Sequence, residues 1–372
     1  MKKSKNKIRV VYVGSFEKEE ILSGPEKVAK RIFTEFSGEE KSLFITYFQE
    51  GKKFGYLKKL FGNETICKIN KSEVIMCGLF PFLIKIISVN PQIIHLITFS
   101  RFAVIVLVLK YFMVFKLFFN LHGIVTHENR YFRKESKFTE LKNKIIEELI
   151  IKFCDFIFCL SEDNKKLLHQ YYNINDKKMF LINNGVDEVF FNVNKRIHFS
   201  ASTVLKIVFI SDITRAEKGF VFLRDSLNEV NFDCELHIIS ENKKLLIINK
   251  HFKIFYYNFM NPSELAEFFA DKDIIISASF YEPFGISIAE AVVSGLLPVV
   301  TEETGFSRFI TNKVNGYVYK YGNKNELATI LNILNLNRGE LFKANENSIN
   351  KYNELKWSNI LSLYKKYYFS NR

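Results

Sequence analysis

FYEPFGISIAEAVV, residues 280–293, follows the apolar run DIIISAS (273–279) and carries Glu282 and Glu290 with seven residues between them. The run reads as a buried strand. The spacing of Ile288, Ala289, Val292, Val293 and Leu296 reads as a helix opening at Ile286. Pro283, Phe284 and Gly285 then form the turn between them. The first N–H groups of a helix lack intrahelical acceptors, so those of Gly285, Ile286 and Ser287 are offered to an anion such as phosphate. A helical rise of about 1.5 Å per residue spaces the two glutamates along one wall. One carboxylate can then accept from a sugar ring and the other from a ribose diol, as a nucleotide diphospho-sugar requires. The plain alternative is a surface helix with two solvated carboxylates.

Outward from this stretch, short apolar runs alternate with helical patterns. Strands are expected at 8–14, 42–48, 93–98, 117–123 and 156–161, with helices at Pro25–Phe36 and Lys137–Phe153. After the Asn183-Asn184-Gly185 turn comes a polar passage, and the alternation resumes at LKIVFIS (205–211). Such alternation gives α/β architecture with parallel sheets covered on both faces. The expected division is a Rossmann-like domain over 1–188, a second over 204–350, the two facing a central cleft, and a carboxy-terminal helix over 351–372 crossing back to the first. Ligands bind beyond the carboxyl ends of parallel strands, which points to Gly14, His122, Ser161, Asn184, Ser211 and Glu282.

The 372 residues suit two domains. Five scattered cysteines with no C-x-x-C pair suggest neither a disulfide framework nor a zinc site, and point to a reducing cytosol. The charged start MKKSKNKIRV runs straight into a strand, without the pattern of a secretory signal. Residues 1–190 hold 31 Lys and Arg against 21 Asp and Glu, and the remainder 22 against 19. The basic half invites nucleic acid or an anionic membrane surface. No RNP-like strand, helix-turn-helix or zinc-finger spacing supports nucleic acid. GKKFGYLKKLFG (51–62) interleaves lysines with aromatic and aliphatic residues, a pattern shared by interfacial segments and ordinary surface helices. FAVIVLVLKYFMVFKLFFNL (102–121) nearly matches a membrane span in length, but Lys110 and Lys116 interrupt it; a buried helix over Phe102–Phe112 and a strand near Lys116–Leu121 fit better.

EPFGISIAEA with the following Gly295-Leu-Leu-Pro-Val-Val resembles the E-x7-E donor-binding signature of the retaining glycosyltransferases of family 4, which have the GT-B fold. Matching elements run from about Val11 to Tyr368: Ser23-Gly24 before a helix, His122-Gly123 closing a strand, Ser161, NNGVD (183–187), Lys218-Gly219 and VNGYVY (314–319). Two places depart. The family's G-R pair is here Ser211-Asp212, with Arg215 as a shifted replacement, and its G-G-x-x-E loop is TGFSR (304–308), with Arg308 in place of Glu. The resemblance implies a metal-independent, retaining transfer in which the leaving phosphate helps deprotonate the acceptor. It assigns catalytic roles to His122, Lys218 and Glu282. Donor binding falls to Gly24, Arg215, Phe284, Gly285, Ile286, Ser287 and Glu290, with Glu282 on the sugar and Glu290 on the ribose. No cofactor is implied beyond the UDP- or GDP-sugar substrate. The implied acceptor is a glycan or lipid-linked saccharide, and the implied location is the cytoplasm, peripheral at the inner face of the membrane.

Other readings compete. A GT-B phosphorylase or epimerase lacks support from the E-x7-E pattern, and a non-catalytic sugar- or nucleotide-binding protein fits the two departures. His122, His127 and Glu128 lack H-E-x-x-H spacing. Asp271-Lys272-Asp273 precedes a strand instead of following one, so helix-end charge is its expected role.

Overall fold

The structure, a computed structural model, describes residues 9–16, 24–39, 42–48, 55–100, 102–133, 135–193, 204–243, 249–339 and 350–369. Ser23 and residues 51–54 of the basic-aromatic stretch lie outside the described residues. The chain divides into two compact units, Met1–Ile182 with Leu361–Arg372, and Asn183–Ile360.

The first unit is built on eight strands, β1 (Val10–Val13), β2 (Leu43–Tyr47), β3 (Asn63–Ile69), β4 (Ser72–Cys77), β5 (Ile93–Leu96), β6 (Lys116–Leu121), β7 (Phe156–Cys159) and β8 (Met179–Leu181). Their order is β3-β4-β2-β1-β5-β6-β7-β8, parallel except for β3, which runs antiparallel to β4. Sequence reading missed this hairpin. Its turn uses Asn70 in the left-handed region (φ 51°) in place of glycine, and β3 is a mostly exposed edge without apolar alternation. The helices are α1 (Gly24–Glu39), α2 (Tyr56–Phe61), α3 (Leu79–Val89), α4 (Ala103–Phe112), α5 (Val125–Tyr131), α6 (Lys137–Phe153) and α7 (Glu162–Tyr171).

Both sheet faces are buried. One, with Val11, Val13, Ile94, Leu117 and Phe119, packs on α3, α4, α6 and α7 through Phe82, Val106, Ile150 and Leu168. The other is aromatic: Tyr12, Phe118 and Phe158 surround His95, and Phe44 and Phe33 of α1 pack on Tyr12. The final helix, α13 in chain order (Trp357–Phe369), completes this face. His95 Nδ1 meets the Tyr368 hydroxyl at 2.5 Å, His95 Nε2 meets Asn120 Oδ1 at 2.9 Å, and Asn120 Nδ2 donates to the Tyr364 hydroxyl at 2.9 Å. Two expectations need correction. The stretch Phe102–Phe112 is buried only at Phe102, Ala103, Val106 and Leu109; Val104, Val108, Tyr111 and Phe112 are exposed. The terminal helix does not start at Lys351: Val186 N–H donates to the Leu355 carbonyl and Lys356 bridges Val186, so the chain makes a 3₁₀ turn over Asn350–Leu355 before α13.

The second unit holds β9 (Leu205–Ile210), β10 (Cys234–Ile239), β11 (Phe252–Tyr257), β12 (Ile274–Ser277), β13 (Leu297–Thr301) and β14 (Tyr317–Tyr319), all parallel, in the order β11-β10-β9-β12-β13-β14. Its helices are α8 (Glu188–Phe191), α9 (Phe220–Leu227), α10 (Pro262–Phe269), α11 (Ile286–Val293) and α12 (Lys324–Leu336). α10 opens on a capping box in which Asn261 and Glu264 satisfy each other's backbone amides. The chain winds outward from β9 in one direction and from β12 in the other, so the strand order reverses between β9 and β12. Loops leaving such a switch point diverge and leave a crevice where ligands bind.

Candidate active site

Three loops leave adjacent strands at the switch point of the second unit and lock into one another. The loop after β9 ends at Gly219, whose φ of +65° suits glycine; a Cβ there would stand 1.8 Å from the Ala278 carbonyl oxygen, which leads into the loop after β12. Phe280 N–H donates to the Glu217 carbonyl (2.8 Å), fastening the two loops. The third, after β13, joins through Glu282 N–H to Glu303 O (3.2 Å) and Gly305 N–H to Glu282 O (2.7 Å). Gly305 is as tightly constrained, since a Cβ would lie 2.1 Å from the Pro283 carbonyl oxygen.

This meshing places Lys218 Nζ 2.5 Å from Glu282 Oε2, with side chains 15% and 22% exposed. Both ions are largely withdrawn from water, where their attraction is stronger than at an open surface. Gly285, at φ +90°, turns the chain directly into α11, and no side chain caps that helix. Phe284 anchors the turn by packing edge-on to Phe306 and Phe309. Ile286 and Ser287 stay partly exposed at the helix start, while Glu290, one turn further in, is buried (2% exposed). Below the loops, hydroxyls form a buried chain: Ser277 Oγ to Thr304 Oγ1 at 2.9 Å, Thr304 Oγ1 to Thr301 Oγ1 at 3.0 Å, and Thr301 Oγ1 donating to the Ser279 carbonyl at 2.6 Å.

The other expected residues are placed differently. Arg215 turns to Glu217, with its Nε 2.6 Å from Glu217 Oε1 and about half its side chain exposed. Asp212 accepts from Thr214 N–H (2.9 Å), Thr214 Oγ1 (2.7 Å) and Asn242 Nδ2 (2.9 Å). Burial pushes its carboxyl up, but these bonds and Arg215 outweigh that and leave it below the usual aspartate value. Arg308 is exposed, with its guanidinium over the Phe309 ring. Asp271 pairs with Lys206 and Lys272, and Asp273 accepts from Lys206 N–H, so the D-x-D charges fasten α10 to β9. Glu303 went unremarked in the sequence because the loop was read on Arg308. Its Oε2 is buried without a hydrogen-bond partner among the described residues, and burial raises its pKa.

His122 and Gly24 belong to the first unit. Gly24 is the first residue of α1. His122 follows β6, with Nε2 enclosed and unpartnered among the described residues; burial lowers its pKa to about 4, against a hydrogen bond with the Ile97 backbone. The loop leaving it is pinned by Glu147, fully buried on α6, which accepts from Val125 N–H (2.7 Å), Thr126 N–H (2.9 Å) and the Tyr172 hydroxyl (2.7 Å). His127 is half-buried against the Tyr171 hydroxyl at 3.0 Å. Among the described residues no three His, Cys, Asp or Glu side chains gather as a metal site.

Comparison with known proteins agrees with this layout. A family model described as Glycosyl transferases group 1 matches residues 193–352, and one described as Glycosyltransferase Family 4 matches residues 65–190. An uncharacterized glycosyltransferase of Methanocaldococcus jannaschii is 25% identical over 189 residues, 44% of this chain and 46% of that protein. The chain thus spans a little under half the length of the curated relatives it matches. Among solved structures, sucrose-phosphate synthase from Thermosynechococcus elongatus superposes with a TM-score of 0.75 at 12% identity, covering 97% of this chain and 98% of that one. Anabaena HepE in complex with UDP and glucose superposes at 0.71 and 15% identity, covering 98% of this chain and all of that one.

Proposed function

Because the chain belongs to the family 4, group 1 glycosyltransferases, we propose that it is a retaining, metal-independent enzyme that moves a sugar from a UDP- or GDP-sugar to a growing cell-surface glycan. The acceptor in this reading is a lipid-linked oligosaccharide, lipopolysaccharide or capsule precursor, met at the inner face of the cytoplasmic membrane. The second unit is the donor side and the first the acceptor side. One observation carries the reading: the Lys218–Glu282 pair set beside the start of α11, which no side chain caps, at the switch point of a parallel sheet. The UDP bound by Anabaena HepE, a protein of the same fold, supports a uridine nucleotide.

In this mechanism the acceptor hydroxyl attacks the anomeric carbon from the face the diphosphate leaves. The carbon–oxygen bond to phosphate breaks, the bond to the acceptor oxygen forms on the same side, and the hydroxyl proton passes to the departing phosphate oxygen. The protein's task is electrostatic and positional. Lys218 shares its ammonium between Glu282 and the diphosphate, and the amides of Gly285, Ile286 and Ser287 add the partial positive charge of a helix start. Glu282 accepts from the transferred sugar, Glu290 from the ribose diol. Arg215 leaves Glu217 for a phosphate oxygen, and Phe284 holds the turn. The resemblance adds neutral His122 and Gly24, both residues of the first unit, as its remaining candidates for handling the sugar.

Calorimetry with UDP and GDP, without metal, tests the reading. One nucleotide should bind to wild type and be lost in Glu290→Ala; binding of neither overturns it. Asp212 favours a second reading, a non-catalytic nucleotide- or sugar-binding interaction partner, since it sets a carboxylate where the family has arginine. That version binds nucleotide yet neither transfers nor hydrolyses any UDP- or GDP-sugar.

A further inference from the structure

A helix packed on a sheet needs one apolar stripe. Three helices on one sheet face of the first unit carry two. On α3, Phe82 and Ile86 face the sheet, while Phe80, Ile84 and Ile87 recur at i, i+4, i+7 on the exposed side. On α4, Val104, Val108, Tyr111 and Phe112 repeat the pattern, with Tyr111 88% exposed. On α6, Ile150 and Ile151 are buried, while Phe138, Leu141, Ile145, Leu149 and Phe153 form an exposed stripe along the whole helix. The helices that bear these stripes are neighbours. α2, exposed at Tyr56, Leu57 and Phe61, joins α3 by stacking Phe61 on Phe80 (4.9 Å), Phe82 of α3 stacks on Phe102 at the start of α4 (3.9 Å), and α4 packs on α6. Exposed apolar stripes on four neighbouring helices mark an interaction face.

Charge identifies the occupant. The four helices carry eight lysines and three glutamates, one of which, Glu147, is fully buried. A second copy would set one basic face against another, whereas an anionic bilayer accepts both features: apolar side chains enter the acyl boundary while lysine stems lie along it and hold their ammonium groups among the headgroups. Among the described residues no helix is long and apolar enough to cross a membrane. We propose that the outer faces of α2, α3, α4 and α6 form one docking surface that lies on an anionic lipid bilayer. This deepens the membrane-side part of the functional reading and rests on that part alone, not on the transfer chemistry.

Sedimentation of the full chain with phosphatidylcholine vesicles, with and without about one-third phosphatidylglycerol, tests it. Binding is expected to be roughly tenfold or more stronger to the anionic vesicles and to weaken with salt. Leu141→Glu with Ile145→Glu, both exposed, should lower it at least about tenfold at every salt concentration. Lys142→Gln with Lys144→Gln should lower it only on anionic vesicles, and this pair and the wild-type salt dependence carry the test if the glutamate variant fails to fold. Absence of wild-type preference for anionic vesicles overturns the proposal. So does a wild-type dimer in sedimentation equilibrium that L141E/I145E dissociates, since a second copy would then cover the face. Nucleotide calorimetry on the wild-type protein separates the two readings: nucleotide binding without vesicle binding sinks the docking face alone, and vesicle binding without nucleotide binding sinks the transferase reading alone.

Discussion

Lys218 Nζ and Glu282 Oε2 lie 2.5 Å apart although 64 residues separate them in the chain. They come from loops after β9 and β12, neighbours only because the sheet reverses order there. The pair holds a cation against a carboxylate in the loop that leads into α11. Lys218→Ala is expected to lower kcat/KM roughly a hundredfold to a thousandfold, the usual cost of removing one group that stabilises a developing oxyanion. Lys218→Ala in a Glu282→Gln background should cost much less than the product of the single changes, because the two side chains act as a unit. Steady-state kinetics of donor hydrolysis measures all three variants, and strictly multiplicative effects would refute the coupling.

Gly219 makes that pairing geometrically possible. Alanine there meets both a left-handed backbone and the Ala278 carbonyl oxygen 1.8 Å from its Cβ, so the loops must part. Gly219→Ala is expected to destabilise the second unit by roughly 3 kcal/mol or more, read as a lower urea midpoint, and to weaken nucleotide binding. Gly322→Ala is the control, since its φ is also positive (+89°) but its Cβ would meet nothing within 4 Å. It should show the backbone strain without loss of nucleotide binding.

The contrast between local and tertiary features explains what was legible. Strand, turn and helix around residues 273–293 are contiguous, so apolar spacing and Pro283-Phe284-Gly285 sufficed to place both glutamates. Gly219 was visible only as a glycine after a lysine; its need for glycine comes from Ala278, which no spacing rule connects to it. Arg215 looked free to bind phosphate because nothing in the sequence shows that it turns to Glu217. Apolar periodicity also cannot tell a covered stripe from an open one, which is why Phe102–Phe112 read as wholly buried.

Glu147 is expected to act as a positioning residue. Its two carboxylate oxygens hold the Val125 and Thr126 amides at the exit of the loop that begins with His122. Glu147→Gln keeps one acceptor and turns an N–H₂ toward the other amide, so the loop loses one anchor. Transfer should slow roughly tenfold while nucleotide Kd stays unchanged, because the nucleotide site is assigned to the other unit. A lower melting temperature with unchanged turnover per folded molecule would reduce Glu147 to a purely structural role.

Acid should destabilise the first unit through two histidines. Burial lowers His95 to about 3 and His122 to about 4, from an ordinary value of 6.5. The unfolded chain therefore binds more protons than the folded one below pH 6.5. The stability these neutral rings contribute is fully present above that pH and is lost as pH falls toward 4 and then 3. By pH 5 each ring has cost roughly 2 kcal/mol relative to pH 8. Urea midpoints measured from pH 8 to pH 4.5 should fall accordingly, and His122→Asn should remove close to half of that slope while leaving the His95 share. His95 should keep its share because Asn120 and Tyr368 occupy both of its nitrogens and the ring is fully buried. A midpoint that holds steady down to pH 5 would mean that both rings carry their protons inside the folded unit, and the aromatic face around His95 would then have to accommodate a charge.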